Sequence, residues 1–542
     1  MKRTIIIFIS CFFLFTSCEL LEYLFMEPGA STYEEASKTV EVTSTGKVYL
    51  VKLNKSNNKI GKDYTGKVTS VNSRTADDVF EQKYNDTDSF IRAVNERLNN
   101  IVLDNSRAAD TSSPIKTEIN ELGFSKGGTK SFWSYTDIQN PNDYNSGIPG
   151  QVSTTCKYVG KHCYVFADNN NDKKAILNLS DSDYKALGQK FDDCYELEIK
   201  VIGNPLYQKY HSTYFNPCND KIIILVSDLF GDAKSGQTLG YFSPSDLFKQ
   251  TYLDETLNKG KSKTSISYYH SNGYEMFYLD TYFLKTRPDV MYSTLVHEFN
   301  HMINYVIKTV GDLTTHPNAT SLNSCSKWFT EMLSMVTEDM FQSYLEIDDE
   351  DSPKGRLPYF NNFYYYGFKN WDDKTSGDKY FDYYMYANTY AFGAYLARNF
   401  GGVELIKEIA QNSYVDEEAI TAGLKKVNSG KKDLDFLDVL QKFSHCLFDV
   451  QIQDDDEVYT FNKSAGKKSD ILYFSAIDIN KIKVDDGSGN KRTYPPKIYN
   501  QNESPSVLWP YGFSVHYIGK NIDSFKFVGN NNGDLQYFLL QE

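Results

Sequence analysis

Met291, Leu295, Phe299, Met302, Val306 and Val310 follow one another at spacings of four, four, three, four and four residues. That rhythm is the apolar stripe of an α-helix, and a strand cannot satisfy it, because strand side chains alternate with a period of two. Pro288 and Asp289 supply a helix start and Gly311 a stop. A helix this apolar on one side packs into a domain. Its other side carries Ser293, His297, His301, Asn304 and Lys308, and lines a cleft or meets solvent.

That polar side includes the run His297-Glu298-Phe299-Asn300-His301. Two histidines four residues apart project from one face and can grip one zinc ion. The glutamate between them lies about 100° round the helix, where it reaches a water on the metal rather than the metal itself. The pattern points to zinc-dependent hydrolysis of peptide bonds, with Glu298 as the proton acceptor. The plainer reading, a surface helix that happens to carry two histidines, fits the apolar stripe less well.

A catalytic zinc keeps three protein ligands and leaves a position for water. A metzincin continuation would put Gly at 304 and His at 307, where this chain has Asn304 and Ile307, so that class is excluded. A second amphipathic helix is predicted over Ser326–Met335, capped by Ser324 or Ser326, and it offers Glu331, 30 residues after His301. Other candidates for the third ligand are His316, in a Thr-His-Pro loop, and Glu338 or Asp339 two turns further on.

The stretch HEFNHMINY followed by WFTEMLSM resembles the gluzincin arrangement, in which a glutamate on a later helix completes the site. More closely it resembles the hyicolysin-type metallopeptidases (family M30), and the aromatic segment from Tyr383 to Leu396 is similar to the helix that follows the glutamate helix there. The resemblance spans roughly residues 220–405. It implies an α+β, zincin-like catalytic domain, one Zn2+ held by His297, His301 and Glu331, Glu298 as general base, and protein or peptide substrates. Gluzincins often add a Tyr or His that steadies the oxyanion. Tyr390 is the preferred candidate and Tyr386, one turn earlier, the second, although in a chain of 42 tyrosines packing is the ordinary role for either. Thermolysin-like gluzincins orient a zinc histidine with an aspartate four residues after the glutamate ligand. Met335 stands at that place, so the acceptor must come from elsewhere in the chain.

Lys2 and Arg3 precede an apolar run from Ile5 to Phe15, too short for a bilayer span but suited to a signal peptide. Leu14-Phe15-Thr16-Ser17-Cys18 resembles a bacterial lipobox, with Phe15 where the strict pattern has Leu. The expectation is a protein anchored by lipid on Cys18 to the membrane of a bacterial cell envelope, outside the cytoplasm. An ordinary secretory signal cut a few residues later is the alternative. Cys11 leaves with the signal, and Cys156, Cys163, Cys194, Cys218, Cys325 and Cys446 remain. They match no zinc-ribbon spacing, and disulfides are permitted in that compartment without a predictable pairing.

With 542 residues there is room for two to four domains, and a net charge of −14 without a basic stripe excludes a nucleic-acid partner. The oligomeric state is left open. The expected organisation is a signal over 1–18, a tether over 19–45, a small β-rich segment and linker over 46–118, and the catalytic domain over 119–452. In that domain strands run to 285 and helices from 289, and a β-sandwich-like module follows over 453–542. The clearest strands are Lys47–Leu53, Cys163–Ala167, Lys221–Val226, Met276–Leu279 and Leu535–Leu540. Calcium finds little support. The Asp168–Asp172 run breaks the EF-hand pattern at Lys173 and Leu179, and the clusters Asp348–Asp351 and Asp454–Glu457 read as exposed loops. The competing function is an adhesin or carbohydrate-binding lipoprotein on a decayed peptidase fold. The intact His297, Glu298 and His301 speak for the enzyme.

Overall fold

The computed structural model describes residues 36–41, 47–68, 119–138, 147–170, 178–205, 214–231, 238–311 apart from 264 and 266, 324–371, 380–429, 434–448, 459–485, 491–501, 503–520, 524–529 and 533–541. Four strands open it: β1 (Ala36–Glu41), β2 (Lys47–Asn54), β3 (Ile60–Gly61) and β4 (Lys67–Val68). Their partners lie at the far end of the sequence. The central sheet follows, built from β5 (Thr129–Ile138), β6 (Gly147–Val159), β7 (Cys163–Asp168), β8 (Ile222–Ser227), β9 (Gly240–Phe242) and β10 (Met276–Asp280) in the order β5-β6-β7-β8-β10-β9. β7, β8 and β10 run parallel and are buried along their whole length, as continuous apolar runs covered on both faces must be. β9 is the edge strand on the β10 side, with which it pairs antiparallel, and β5 is the other edge.

Helix α1 (Asp181–Val201) starts at a capping box, in which Ser180 and Asp183 satisfy each other's end of the chain. After the short helices α2 (Gln250–Glu255) and α3 (Thr281–Thr286), α4 (Pro288–Asn304) starts with proline at its first turn and runs into a π-helical turn over Tyr305–Val310. The stripe of Met291, Leu295, Phe299, Met302, Val306 and Val310 is fully buried. Phe299 meets Phe191 edge-on, with ring centroids 5.0 Å apart, which docks α4 on α1. Burial of each such side chain contributes about 1.5–3 kcal/mol.

The helical half continues with α5 (Lys327–Leu345), α6 (Leu357–Phe363), α7 (Phe381–Phe400), α8 (Gly402–Gln411), α9 (Asp416–Val427) and α10 (Phe436–Phe443). Gly393 lets α7 lie against α5, because a Cβ there would come within 2.5 Å of Val336 and 2.7 Å of Met332. Arg398 and Asp339 add a fully buried ion pair across the same contact, at 2.7 Å.

The last strands are β11 (Lys483–Asp485), β12 (Lys491–Thr493), β13 (Tyr499–Asn500), β14 (Val507–Leu508), β15 (Phe513–Lys520), β16 (Ser524–Gly529) and β17 (Leu535–Gln541). β13, β15 and β17 join β2 in a sheet of order β13-β15-β2-β17, β16 lies in another of order β1-β16-β4, β14 pairs with β3, and β11 pairs with β12. β2 therefore sits between two C-terminal strands, so the β-rich segment after residue 46 and the C-terminal region share a sheet, where the sequence reading separates them. Residues 36–41, assigned above to a tether, pair along β16. The two sheets close on a second apolar core that includes Val48, Leu50, Ile518, Phe527 and Tyr537. The molecule is thus a mixed helix-and-sheet structure. Among the described residues no helix is long and apolar enough to cross a membrane.

Candidate metal centre

Two helices make the centre. α4 turns His297 and His301 toward α5, and α5 answers with Glu331 one turn inside its N-terminus. Ser326 precedes that helix but does not cap it with its own side chain. Its N–H donates to Asp416 Oδ1 at 2.8 Å and its hydroxyl to Asp416 Oδ2, so a residue of α9 fixes the start of α5.

The ligand atoms converge. His297 Nε2 and His301 Nε2 lie 3.0 Å apart, and Glu331 Oε2 stands 3.3 Å from the first and 3.6 Å from the second. An ion in tetrahedral coordination, with ligands about 2.0–2.1 Å away, sets those ligand atoms about 3.3 Å apart. The hydrogen bonds behind the rings sharpen the point. His297 Nδ1 donates to Glu338 Oε1 at 2.7 Å, and Ser293 donates to the other oxygen of Glu338 at 2.5 Å. His301 Nδ1 meets Ser334 Oγ at 3.2 Å, and Ser334 donates onward to Asn300 Oδ1 at 3.2 Å. With both Nδ1 protons engaged, the two Nε2 lone pairs face a carboxylate oxygen that is buried and has no hydrogen-bond partner. Three acceptors aimed at one point fit a cation. Among the described residues this trio is the one group arranged to hold a metal ion.

Without a metal ion the same close approach makes these groups perturb one another. Burial works against an imidazolium at His297, but the carboxylates of Glu338, Glu331 and Glu298 outweigh it and lift the group well above the ordinary imidazole value. Burial lowers His301, against the pull of Glu331. Burial would raise Glu331, yet the two rings hold it well below the usual carboxylate range. Behind the site Glu198 of α1 is buried with Oε1 unpartnered, and burial keeps it far above that range.

The trio opens into a cleft that Glu298 also lines. Tyr241 and Phe242 of the edge strand β9 form one wall, and Arg356 and Tyr386 stand on another. Asn304 lines the cleft, whereas Lys308 from the same predicted polar face is buried. It donates to the carbonyls of Ile409, Asn412 and Tyr414 at 2.7–2.8 Å, closing the end of α8.

One site expectation needs correction, and the alternatives can be placed. Tyr390 does not reach the cleft. It is fully buried, and its hydroxyl donates to Asp339 Oδ2 at 3.0 Å, inside the Arg398 ion pair. Tyr386, one turn earlier on the same helix, does line the cleft, as do Tyr241 and Tyr305. Glu338 and Asp339 are not in the trio, since Glu338 orients His297 and Asp339 binds Arg398. His316, Cys18 and the Asp454–Glu457 cluster lie outside the described residues. The acids of the 348–351 loop are matched by cations: Asp349 by Lys354 at 3.1 Å, Glu350 by Lys491 at 2.5 Å and Asp351 by Arg287. No disulfide joins the six cysteines. The sequence reading missed Ser334, which sits three residues after Glu331 and would have been found by asking which α5 positions share its face.

No protein-family model matches the chain. Over 291 residues it is 26% identical to the neutral metalloprotease ShpI of Staphylococcus hyicus, a stretch covering 51% of this chain and 54% of that protein. The chain thus spans about half the length of that curated relative. The match supports a relationship to metallopeptidases.

Proposed function

We propose that the chain is a zinc-dependent endopeptidase with a zincin-like catalytic domain of gluzincin type. One observation carries the reading: the convergence of His297 Nε2, His301 Nε2 and Glu331 Oε2 at 3.0–3.6 Å, beside Glu298, in an open cleft. These three side chains would hold zinc, which supplies a Lewis acid for the scissile carbonyl and for a water. Glu338 and Ser334 keep the two imidazoles in the tautomer that ligation requires. Glu298 accepts the proton of the attacking water and delivers one to the leaving amine. Tyr386, which lines the cleft, is the proposed donor that steadies the oxyanion. As the last strand of the sheet, β9 would pair through its outer edge with an extended peptide and lay it across the cleft.

The decisive experiment is digestion of a mixed peptide library by the purified full chain. Internal cleavage that stops with a chelator and returns with added zinc supports the reading. Absence of cleavage at any zinc level contradicts it.

The same reading extends to location. Cys18 is proposed as a diacylated N-terminus that holds the mature protein on a bacterial cell envelope, outside the cytoplasm. Labelled palmitate should enter the wild type and not Cys18→Ala. An unlabelled, soluble wild type whose N-terminus lies beyond residue 18 would make it a plain secreted protein.

A further inference from the structure

One wall of the cleft carries a cation that no acid among the described residues neutralises. Arg356 ends the turn Pro353–Arg356, and its guanidinium lies 4.8 Å over the ring of Tyr386. That ring stands edge-on to Trp371, with centroids 4.9 Å apart, so the platform under the guanidinium is itself packed. Among the described residues the ring is the partner Arg356 has. Its isolation is selective. The acidic loop a few residues upstream spends Asp349 on Lys354, Glu350 on Lys491 and Asp351 on Arg287, and none of these acids turns to Arg356. A cation held over a ring uses no hydrogen-bond acceptor, so the guanidinium's N–H donors remain to be satisfied. Lys327 lines the same cleft, 5.4 Å from the centre of the Trp371 ring. A planar fork of donors, half-buried on an aromatic platform, matches a carboxylate by two parallel hydrogen bonds.

We propose that Arg356 sets substrate preference by taking a carboxylate of the bound peptide, from an Asp or Glu side chain near the scissile bond or from the peptide's own C-terminus. The proposal rests on the peptidase reading for the peptide and on the geometry of Arg356 for the carboxylate. An oxyanion donor is the contrasting role, and it would slow every substrate alike.

The test uses peptide pairs that differ as Glu against Gln at each position around the cleavage point, and as free against amidated C-terminus. Binding is read by fluorescence anisotropy on zinc-loaded Glu298→Gln protein, and kcat/KM is read on the wild type. The carboxylate member should bind and react about 10- to 100-fold better, the scale of a charge-assisted hydrogen bond, with the advantage shrinking in salt. Whichever kind of pair shows the ratio identifies the source of the carboxylate. Arg356→Gln, carried in the Glu298→Gln background for binding, should bring the ratio near one, and Arg356→Glu should turn it toward a Lys-bearing peptide. Equal handling of both members by the wild type overturns the proposal and leaves the peptidase standing. A uniform loss in Arg356→Gln with the ratio intact does the same. A binding ratio without any cleavage overturns the peptidase and keeps the assignment of Arg356, and no binding by any member counts against both.

Discussion

Glu338 lies seven residues beyond Glu331 on α5 and holds His297 Nδ1 at 2.7 Å. Seven residues are nearly two helical turns, so both carboxylates look the same way. With Ser334 between them, α5 presents a stripe of Glu331, Ser334 and Glu338 that meets the face of α4 bearing His297 and His301. One helix thus supplies a ligand and both orienting groups.

Glu338→Gln should weaken zinc binding about 10- to 100-fold without abolishing it, because an orienting group is lost while the three ligands survive. Competition with a chelator of known affinity measures this. Unchanged affinity would show that the hydrogen bond to His297 does not matter for the metal.

Tyr386→Phe should lower kcat by about 10²- to 10³-fold with little change in KM, the signature of a donor used in the transition state. Tyr390→Phe should instead cost about 1–3 kcal/mol of stability, since it leaves a buried oxygen of Asp339 with one donor fewer. Steady-state kinetics and denaturant melts of the two variants separate the roles. The reverse pattern would restore Tyr390 as the oxyanion donor.

Why α4 and its motif could be read from sequence, and Tyr386 could not, follows from periodicity. α4 carries a one-sided apolar stripe, so its polar side was visible in advance. On α7 every residue from Ala387 to Phe400 is buried, and a helix buried all round gives no sign of which turn faces a cleft. Glu331 was within reach because a short loop and a second amphipathic helix suffice to bring it back. Glu338 was considered only as a ligand. Its true role depends on how α4 and α5 cross, which no local pattern encodes. β2, β7, β8, β10 and β17 are legible as apolar runs, but the pairing of β2 with β15 and β17 links residues more than four hundred positions apart. Strand propensity has no information at that range.

Asp339→Ala should destabilise the fold by about 3–5 kcal/mol, because it strands the fully buried guanidinium of Arg398. Asp339→Ala combined with Arg398→Met should recover part of the loss, read as a shift in denaturant midpoint. A single variant as stable as the wild type would mean that water or another acid reaches Arg398.

Asp246 gives a pH signature near the β9 wall. Burial pushes its carboxyl up to about 7, although Tyr278 and the N–H of Asn272 donate to it at 2.5 and 2.7 Å. The folded state keeps this proton where the unfolded state, with its ordinary value of 3.8, has released it. Stability contributed by the protonated group is therefore full below pH 3.8 and is lost as pH rises to about 7. Measured without metal, the wild type should lose stability relative to Asp246→Asn across that window. Parallel curves would show that Asp246 is ionised in the fold.

The central claim is that His297, His301 and Glu331 form a zinc site with Glu298 as its base. Zinc content and peptide hydrolysis, measured together on the wild type, Glu298→Gln and Glu331→Ala, test it most directly. The account predicts about one zinc per chain and turnover in the wild type, the same zinc without turnover in Glu298→Gln, and loss of both in Glu331→Ala. Stoichiometric zinc with wild-type turnover in Glu331→Ala, or hydrolysis that survives Glu298→Gln, would contradict it.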